Sequence, residues 1–173
     1  MTDGLDRIEQ AISNRNFDHP PLHLWHPPLS GTIDITIAAD GRWFHEGGEI
    51  RRDAMVRLFA SILRREEDGE YYLVTPVEKW RIEVEKHPLM VVRIDAVEKG
   101  GNERLIATLN TGSEIVIGAD HPLSLDPDVE VPVLDAFNGL TALFNRNAWY
   151  HLVDLADQNH CVTSDGLVFR LAP

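Results

Sequence analysis

A single cysteine, Cys161, occurs among the 173 residues. That excludes an intrachain disulfide and a zinc site built on cysteine pairs. No apolar run approaches the ~20 residues that a membrane-spanning helix needs; the longest are stretches such as Leu89-Met90-Val91-Val92. The opening Met-Thr-Asp-Gly-Leu-Asp-Arg lacks the basic, then apolar layout of a secretory signal. Positive charge is scarce, with 16 Lys plus Arg against 28 Asp plus Glu and a formal charge of −12. This balance excludes a broad face for a nucleic-acid polymer or an anionic membrane. Catalytic signatures are missing too. Ser30, Ser61, Ser113, Ser124 and Ser164 sit in no Gly-x-Ser-x-Gly elbow, and no His-Glu-x-x-His occurs among the eight histidines. The expectation is a cytoplasmic globular protein that is not inserted in a membrane, with no metal or cofactor, and the pattern argues against an enzyme.

What is present reads as strands with two helices between them. Apolar residues make up 43% and charged residues 25%, a globular balance. Leu5, Ile8, Ala11 and Ile12 have helical spacing, and the four prolines between Asp18 and Pro28 force an extended arm, pinned by Leu22, Leu24 and Trp25. Ile33, Ile35 and Ile37 alternate with polar residues, as in a half-buried strand, and Asp40-Gly41 turns the chain into a return strand at Trp43. The stripe Met55, Leu58, Phe59, Ile62 and Leu63 predicts a helix from Ile50 to Glu66, stopped by Asp68-Gly69. Strands are expected at Tyr71–Val74 and Lys79–Glu85 around a Thr75-Pro76-Val77-Glu78 turn. Hairpins follow: Val91–Val97 with Arg104–Leu109, then Ser113–Ile117. After a looser stretch from His121 to Pro132, a second hairpin forms about Asn138-Gly139. A helix from Arg146 to Asp157 and a strand at Leu167–Leu171 close the chain.

Two segments share an order of landmarks. In one, a strand, Asp40-Gly41, a second strand, a helix opened by Arg52-Asp53-Ala54, and Asp68-Gly69 follow one another. In the other the series is a strand, Asn138-Gly139, a strand, a helix opened by Arg146-Asn147-Ala148, and Asp165-Gly166. The shared order suggests a duplication.

Arg52 and Arg146 stand where unpaired N–H groups and the helix dipole attract anions, yet where a cation does nothing for an isolated helix. They serve either to neutralise a bound phosphate or carboxylate, or to pair with acids such as Asp34, Glu78 or Asp135. Neither follows a Gly-Lys-Ser/Thr loop. Thr75, Glu78 and Lys79 bring a hydroxyl, a carboxylate and an ammonium to one rigid turn, where they either read a ribose and its phosphate or merely shape the turn.

The stretch Ile37–Glu85 contains Ala-Asp-Gly-Arg-Trp-Phe-His, Glu-Ile-Arg-Arg-Asp and Tyr-Tyr-Leu-Val-Thr-Pro-Val-Glu-Lys; further on come Gly-Ala-Asp-His-Pro-Leu and Asn-Arg-Asn-Ala-Trp-Tyr-His-Leu-Val-Asp. With these the chain resembles the bacterial domain-of-unknown-function family DUF1285 over nearly its whole length. The resemblance implies an α+β fold of two related antiparallel-strand and helix halves packed together. It places the halves at residues 1–88 and 89–173, the second a pleckstrin-homology-like β roll with a C-terminal helix. It also implies a signalling or sensor role, with a small anionic, nucleotide-like ligand at the junction of the halves. The expected ligand residues are Arg52, Thr75, Glu78, Lys79 and Arg146. The alternative is a protein–protein interaction module that uses the roll to bind a signalling partner. A phosphoester hydrolase would need a metal-holding carboxylate cluster or a positioned nucleophile, and the sequence displays neither.

Overall fold

The computed structural model describes residues 5–8 and 20–172, and the chain divides into two compact units, Met1–Lys86 and His87–Pro173. The described residues form one six-stranded mixed sheet in each unit and a separate two-stranded hairpin in the second.

In the N-terminal unit, residues 5–8 are helical and Ile8 is fully buried; Ala11 and Ile12 of the expected helix lie outside the described residues. The proline-rich arm holds one 3-10 turn at Leu22–Leu24. Leu22 is buried, but Leu24 is 67% exposed and does not pin the arm. The strands are β1 (Leu29–Ile37), β2 (Trp43–His45), β3 (Gly48–Glu49), β4 (Leu63–Arg65), β5 (Tyr71–Val74) and β6 (Lys79–Val84), with helix α1 (Asp53–Ser61) between β3 and β4. Their order in the sheet is β3-β2-β1-β6-β5-β4; only the central pair, β1 with β6, is parallel. Ile33, Ile35 and Ile37 are buried on one face, and the Trp43 ring stacks on Phe59 of α1 at 6.3 Å.

Helix α1 is shorter than the expected Ile50–Glu66. It ends at Ser61, and Leu63–Arg65 forms β4 against β5, pairing Leu63 with Leu73. Phe59, Ile62 and Leu63 are all buried. Their spacing is met equally by the last turn of a helix running into a strand, and periodicity over so short a run does not separate the two. Asp68-Gly69 consequently turns β4 into β5 instead of stopping a helix, with the Gly69 N–H donating to the Glu66 carbonyl.

The C-terminal unit has strands β7 (Leu89–Lys99), β8 (Asn102–Leu109), β9 (Glu114–Val116), β10 (Leu123–Leu125), β11 (Pro132–Asp135) and β12 (Thr141–Phe144). Helix α2 (Arg146–Asp154) and the hairpin of β13 (Cys161–Ser164) and β14 (Leu167–Arg170) follow. The sheet order is β10-β11-β12-β7-β8-β9, with β12 and β7 parallel. The loose stretch His121–Pro132 therefore contains a strand, and the strand Cys161–Ser164 had no sequence signal. It is anchored by Ser164, fully buried, whose Oγ donates to the Ile117 carbonyl at 2.6 Å and accepts from the Leu105 N–H at 2.8 Å.

The two halves are related. Each sheet is two three-stranded antiparallel meanders joined by a parallel pair between the first strand of one and the last strand of the other. In that correspondence β7 takes the place of β1 and β12 that of β6. The turn equivalent to Thr75–Glu78, between the fifth and sixth strands, is therefore Asn138-Gly139 and not Asp40-Gly41. The landmark series of the sequence pairs turns from different places in the sheet, because Asp-Gly and Asn-Gly mark any tight turn. The helices differ in place: α1 lies between the meanders and α2 after them.

Candidate functional site

One polar network stands out in the N-terminal unit, on the sheet face of β4, β5 and β6 that carries alternate residues to the Ile33–Ile37 core. Register sets Arg64, Tyr72 and Arg81 side by side across the three strands. Lys79 precedes Arg81 by two on the same face. The Lys79 ammonium lies 4.6 Å from the centre of the Tyr72 ring and the Arg81 guanidinium 5.8 Å from it. Lys79 Nζ donates to Glu66 Oε1 at 2.8 Å, and Arg64 donates to Glu66 Oε2 through Nε at 3.1 Å and also through Nη2. Arg64 Nη1 donates to the carbonyls of Leu22 and Trp25, both at 2.9 Å, and so ties the proline-rich arm to the sheet. The Tyr72 hydroxyl donates to Asp68.

The charges are arranged to keep the carboxylates ionised. Burial pushes Glu66 upward, but the hydrogen bonds from Lys79 and Arg64 outweigh it and hold the carboxyl below its ordinary range. Asp68 is lowered chiefly by the Tyr72 hydroxyl and then by the Glu70 N–H. Three cations thus meet two carboxylates about one phenol. Arg64 and Lys79 are each engaged by Glu66; Arg81 is not. Its side-chain hydrogen bond is Nη2 to the Tyr72 oxygen at 3.4 Å, and its Nε is buried with no acceptor among the described residues.

Of the expected ligand residues, Thr75, Glu78 and Lys79 are brought together on the β5–β6 turn. Thr75 is fully buried; its Oγ1 accepts the N–H of Glu78 at 3.0 Å and of Val77 at 3.3 Å, which closes the turn on itself. Glu78 accepts the Trp80 indole N–H at 3.3 Å and lies 3.7 Å from Arg7. Arg52 is the exposed N-cap of α1, and its side chain makes no capping bond. Arg146 is the exposed first residue of α2, in the other unit, behind Asn145, whose Oδ1 accepts the Ala148 N–H at 2.8 Å. The pairing of either arginine with Asp34, Glu78 or Asp135 is not formed among the described residues.

Arg64, Glu66, Asp68, Tyr72 and Arg81 were not anticipated. A reading of Leu63–Arg65 as a strand would have put Arg64 beside Tyr72, since both alternate with core residues. In the C-terminal unit His87 was also passed over: its Nε2 meets Asp126 Oδ2 and its Nδ1 meets Thr141 Oγ1, each at 2.7 Å. Among the described residues no group of three or more His, Cys, Asp or Glu is placed to hold a metal, and no helix is long and apolar enough to cross a membrane.

The family description of the DUF1285 N-terminal domain, a domain of unknown function, matches residues 20–87. The C-terminal domain of the same family, likewise of unknown function, matches residues 88–171. The chain belongs to the DUF1285 family. Among solved structures it is similar to a DUF1285 family protein from Silicibacter pomeroyi DSS-3, with 39% identity and a TM-score of 0.87 over 99% of this chain and 96% of that one. It is also similar to a DUF1285 family protein from Shewanella baltica OS155, with 29% identity and a TM-score of 0.57 over 69% of this chain and 90% of that one. No curated protein matches.

Proposed function

We propose that this protein is a non-enzymatic sensor module for a small phosphorylated anion such as a nucleotide, and that the ligand docks on the Tyr72 face of the N-terminal unit. The observation that carries the reading is the under-used Arg81. A guanidinium presents five N–H donors in a planar fork suited to phosphate, whereas this one has a single long bond to Tyr72 and an orphaned Nε. Lys79 stands next to it on the same face and can share its ammonium between Glu66 and a bound phosphate. Arg64 is held by Glu66 and two carbonyls, so its role is to fix the network. Thr75 shapes the turn that presents Lys79. Arg52 and Arg146 are exposed cations at helix starts and offer the competing location.

The test is isothermal titration with inorganic phosphate, mononucleotides and cyclic dinucleotides, on the parent chain and on Arg81→Met, Lys79→Gln, Arg52→Ala and Arg146→Ala. Binding that is lost in Arg81→Met, weakened in Lys79→Gln and kept in the other two supports the Tyr72 face. Loss in Arg52→Ala or Arg146→Ala alone moves the site to the helix starts. A flat titration of the parent with every compound removes the proposal.

A further inference from the structure

Beyond the Tyr72 face, the N-terminal unit holds a groove of about 460 Å³ whose lining includes Gly69, Glu70, Tyr71, Glu83, Val84 and Glu85. We infer that this groove is a recognition slot for a short, extended, lysine- or arginine-bearing peptide segment, which pairs with the free edge of β6 at Val84 along the line where β5 has not yet begun.

The main-chain geometry carries the first half of the inference. Glu78 accepts from the Thr75 N–H, so even-numbered residues of β6 turn their main-chain groups toward β5. Glu85 donates to the Ile37 carbonyl, so odd-numbered residues turn theirs toward β1. Register pairs Tyr71, the first residue of β5, with Ile82. Val84 is the next residue on that side, and the chain opposite it has already left the sheet through Gly69 and Glu70. Its N–H and C=O therefore face the groove, with no backbone partner among the described residues. An unpaired strand edge is a template for one more extended segment, which gains affinity from main-chain hydrogen bonds and specificity from its side chains.

Charge selects the occupant. The Glu70 carboxylate acts on the charge of Arg81, and neither it nor the Glu83 carboxylate makes a side-chain hydrogen bond or close ion pair among the described residues. Glu85 accepts the Ala39 N–H at 2.8 Å. Of the two cations on the lining, Arg65 is turned onto the Tyr71 ring at 5.4 Å and donates to the Gly69 carbonyl, and Lys86 is the other. With Lys86 counted beside Arg65, the three carboxylates leave the lining one negative charge in excess, which favours a basic side chain flanking the paired residue. Tyr71, half-buried with its hydroxyl pushed up by that burial, remains a neutral wall and donor.

The probe is a fluorescein-labelled alternating Lys-Val-Lys-Val-Lys peptide, followed by fluorescence anisotropy against the full chain. Three controls are the same peptide N-methylated on its central amides, a Glu-Val-Glu-Val-Glu peptide, and free spermidine as competitor. The expected result is saturable binding of the lysine peptide, at least tenfold weaker after N-methylation and absent for the glutamate peptide. It should weaken at least fivefold in Glu70→Gln/Glu83→Gln, a pair of surface changes whose folding is checked by an unchanged melting temperature. Binding untouched by N-methylation, or displaced by equimolar spermidine, would mean a bare acidic surface and overturns the inference. So does a lack of saturable binding. The N-methylation and spermidine arms do not depend on Arg81 or phosphate.

Discussion

His87 and Asp126, 39 residues apart in the chain, meet through Nε2 and Oδ2 at 2.7 Å, while the other ring nitrogen of His87 meets Thr141 Oγ1. Asp126 also accepts the N–H groups of Asp128 and Val129 and so fixes the turn before β11. The threonine hydroxyl can either donate to a neutral ring or accept from a protonated one, so the array stays satisfied in both states. The hydrogen bond from His87, then those of the turn, lower the Asp126 carboxyl. A depressed carboxyl stabilises the fold above its unfolded value, near ~3.9, and this contribution is lost as pH falls through the folded value. Melting followed from pH 6 to pH 2 should therefore drop below about pH 4. Asp126→Asn should melt lower than the parent at pH 6, by ~1–3 kcal/mol in stability, and the difference should shrink toward pH 2. A difference that stays constant with pH would refute the linkage.

Arg64 connects the arm to β4. Replacement by Met removes the donors to Leu22 and Trp25 and leaves Glu66 with Lys79 alone. The expected outcome is faster limited proteolysis between residues 20 and 28, with a loss of ~1–3 kcal/mol. Lys at this position should rescue only in part, because an ammonium cannot hold the carboxylate and two carbonyls in one plane. Equal cleavage rates in parent and variant would show that the arm is held by Leu22 alone.

Thr75 separates a structural role from a ligand role. Thr75→Val keeps the shape but removes the acceptor for the Val77 and Glu78 N–H groups, at a cost of ~1–2 kcal/mol, whereas Thr75→Ser restores it. Phosphate or nucleotide binding measured well below the melting temperature should be equal in the parent and Thr75→Val. A loss of binding in Thr75→Val, under conditions where it is fully folded, that Thr75→Ser restores would instead make the threonine hydroxyl a ligand contact.

Asn138 and Gly139 both have positive φ, 56° and 75°, as the tight turn between β11 and β12 demands. Gly139→Ala should cost on the order of 1 kcal/mol in chemical denaturation. Gly48→Ala, in a residue without positive φ and with only ordinary contact for an added Cβ, should cost less.

Local chemistry made much of the fold legible. Alternation at Ile33, Ile35 and Ile37, the Asn-Gly turn, and the apolar stripe of α1 each name their element without help from the rest of the chain. Legibility failed where one set of residues fits two periods. Leu63 completes a helical stripe and also faces Leu73 across a strand pair, and only the partner strand decides between them. The same error hid the polar face: with Leu63–Arg65 taken as helix, Arg64 and Glu66 fall on a helix surface, far from Tyr72. That Thr75, Glu78 and Lys79 share one turn is legible because a Thr-Pro turn declares itself locally.

The sequence by itself determined the acidic balance, the lack of disulfide chemistry, and most strands and their turns, since these follow from composition and short-range stereochemistry. The tertiary structure decided which first strand lies parallel to which last one. It decided which turns correspond, and that Arg64, Tyr72 and Arg81 form one row while His87 finds Asp126. Those pairings join residues from 8 positions apart, Arg64 with Tyr72, to 53 apart, Leu89 with Ala142. No local preference encodes them, and only the burial of a common core face selects the register that brings them together.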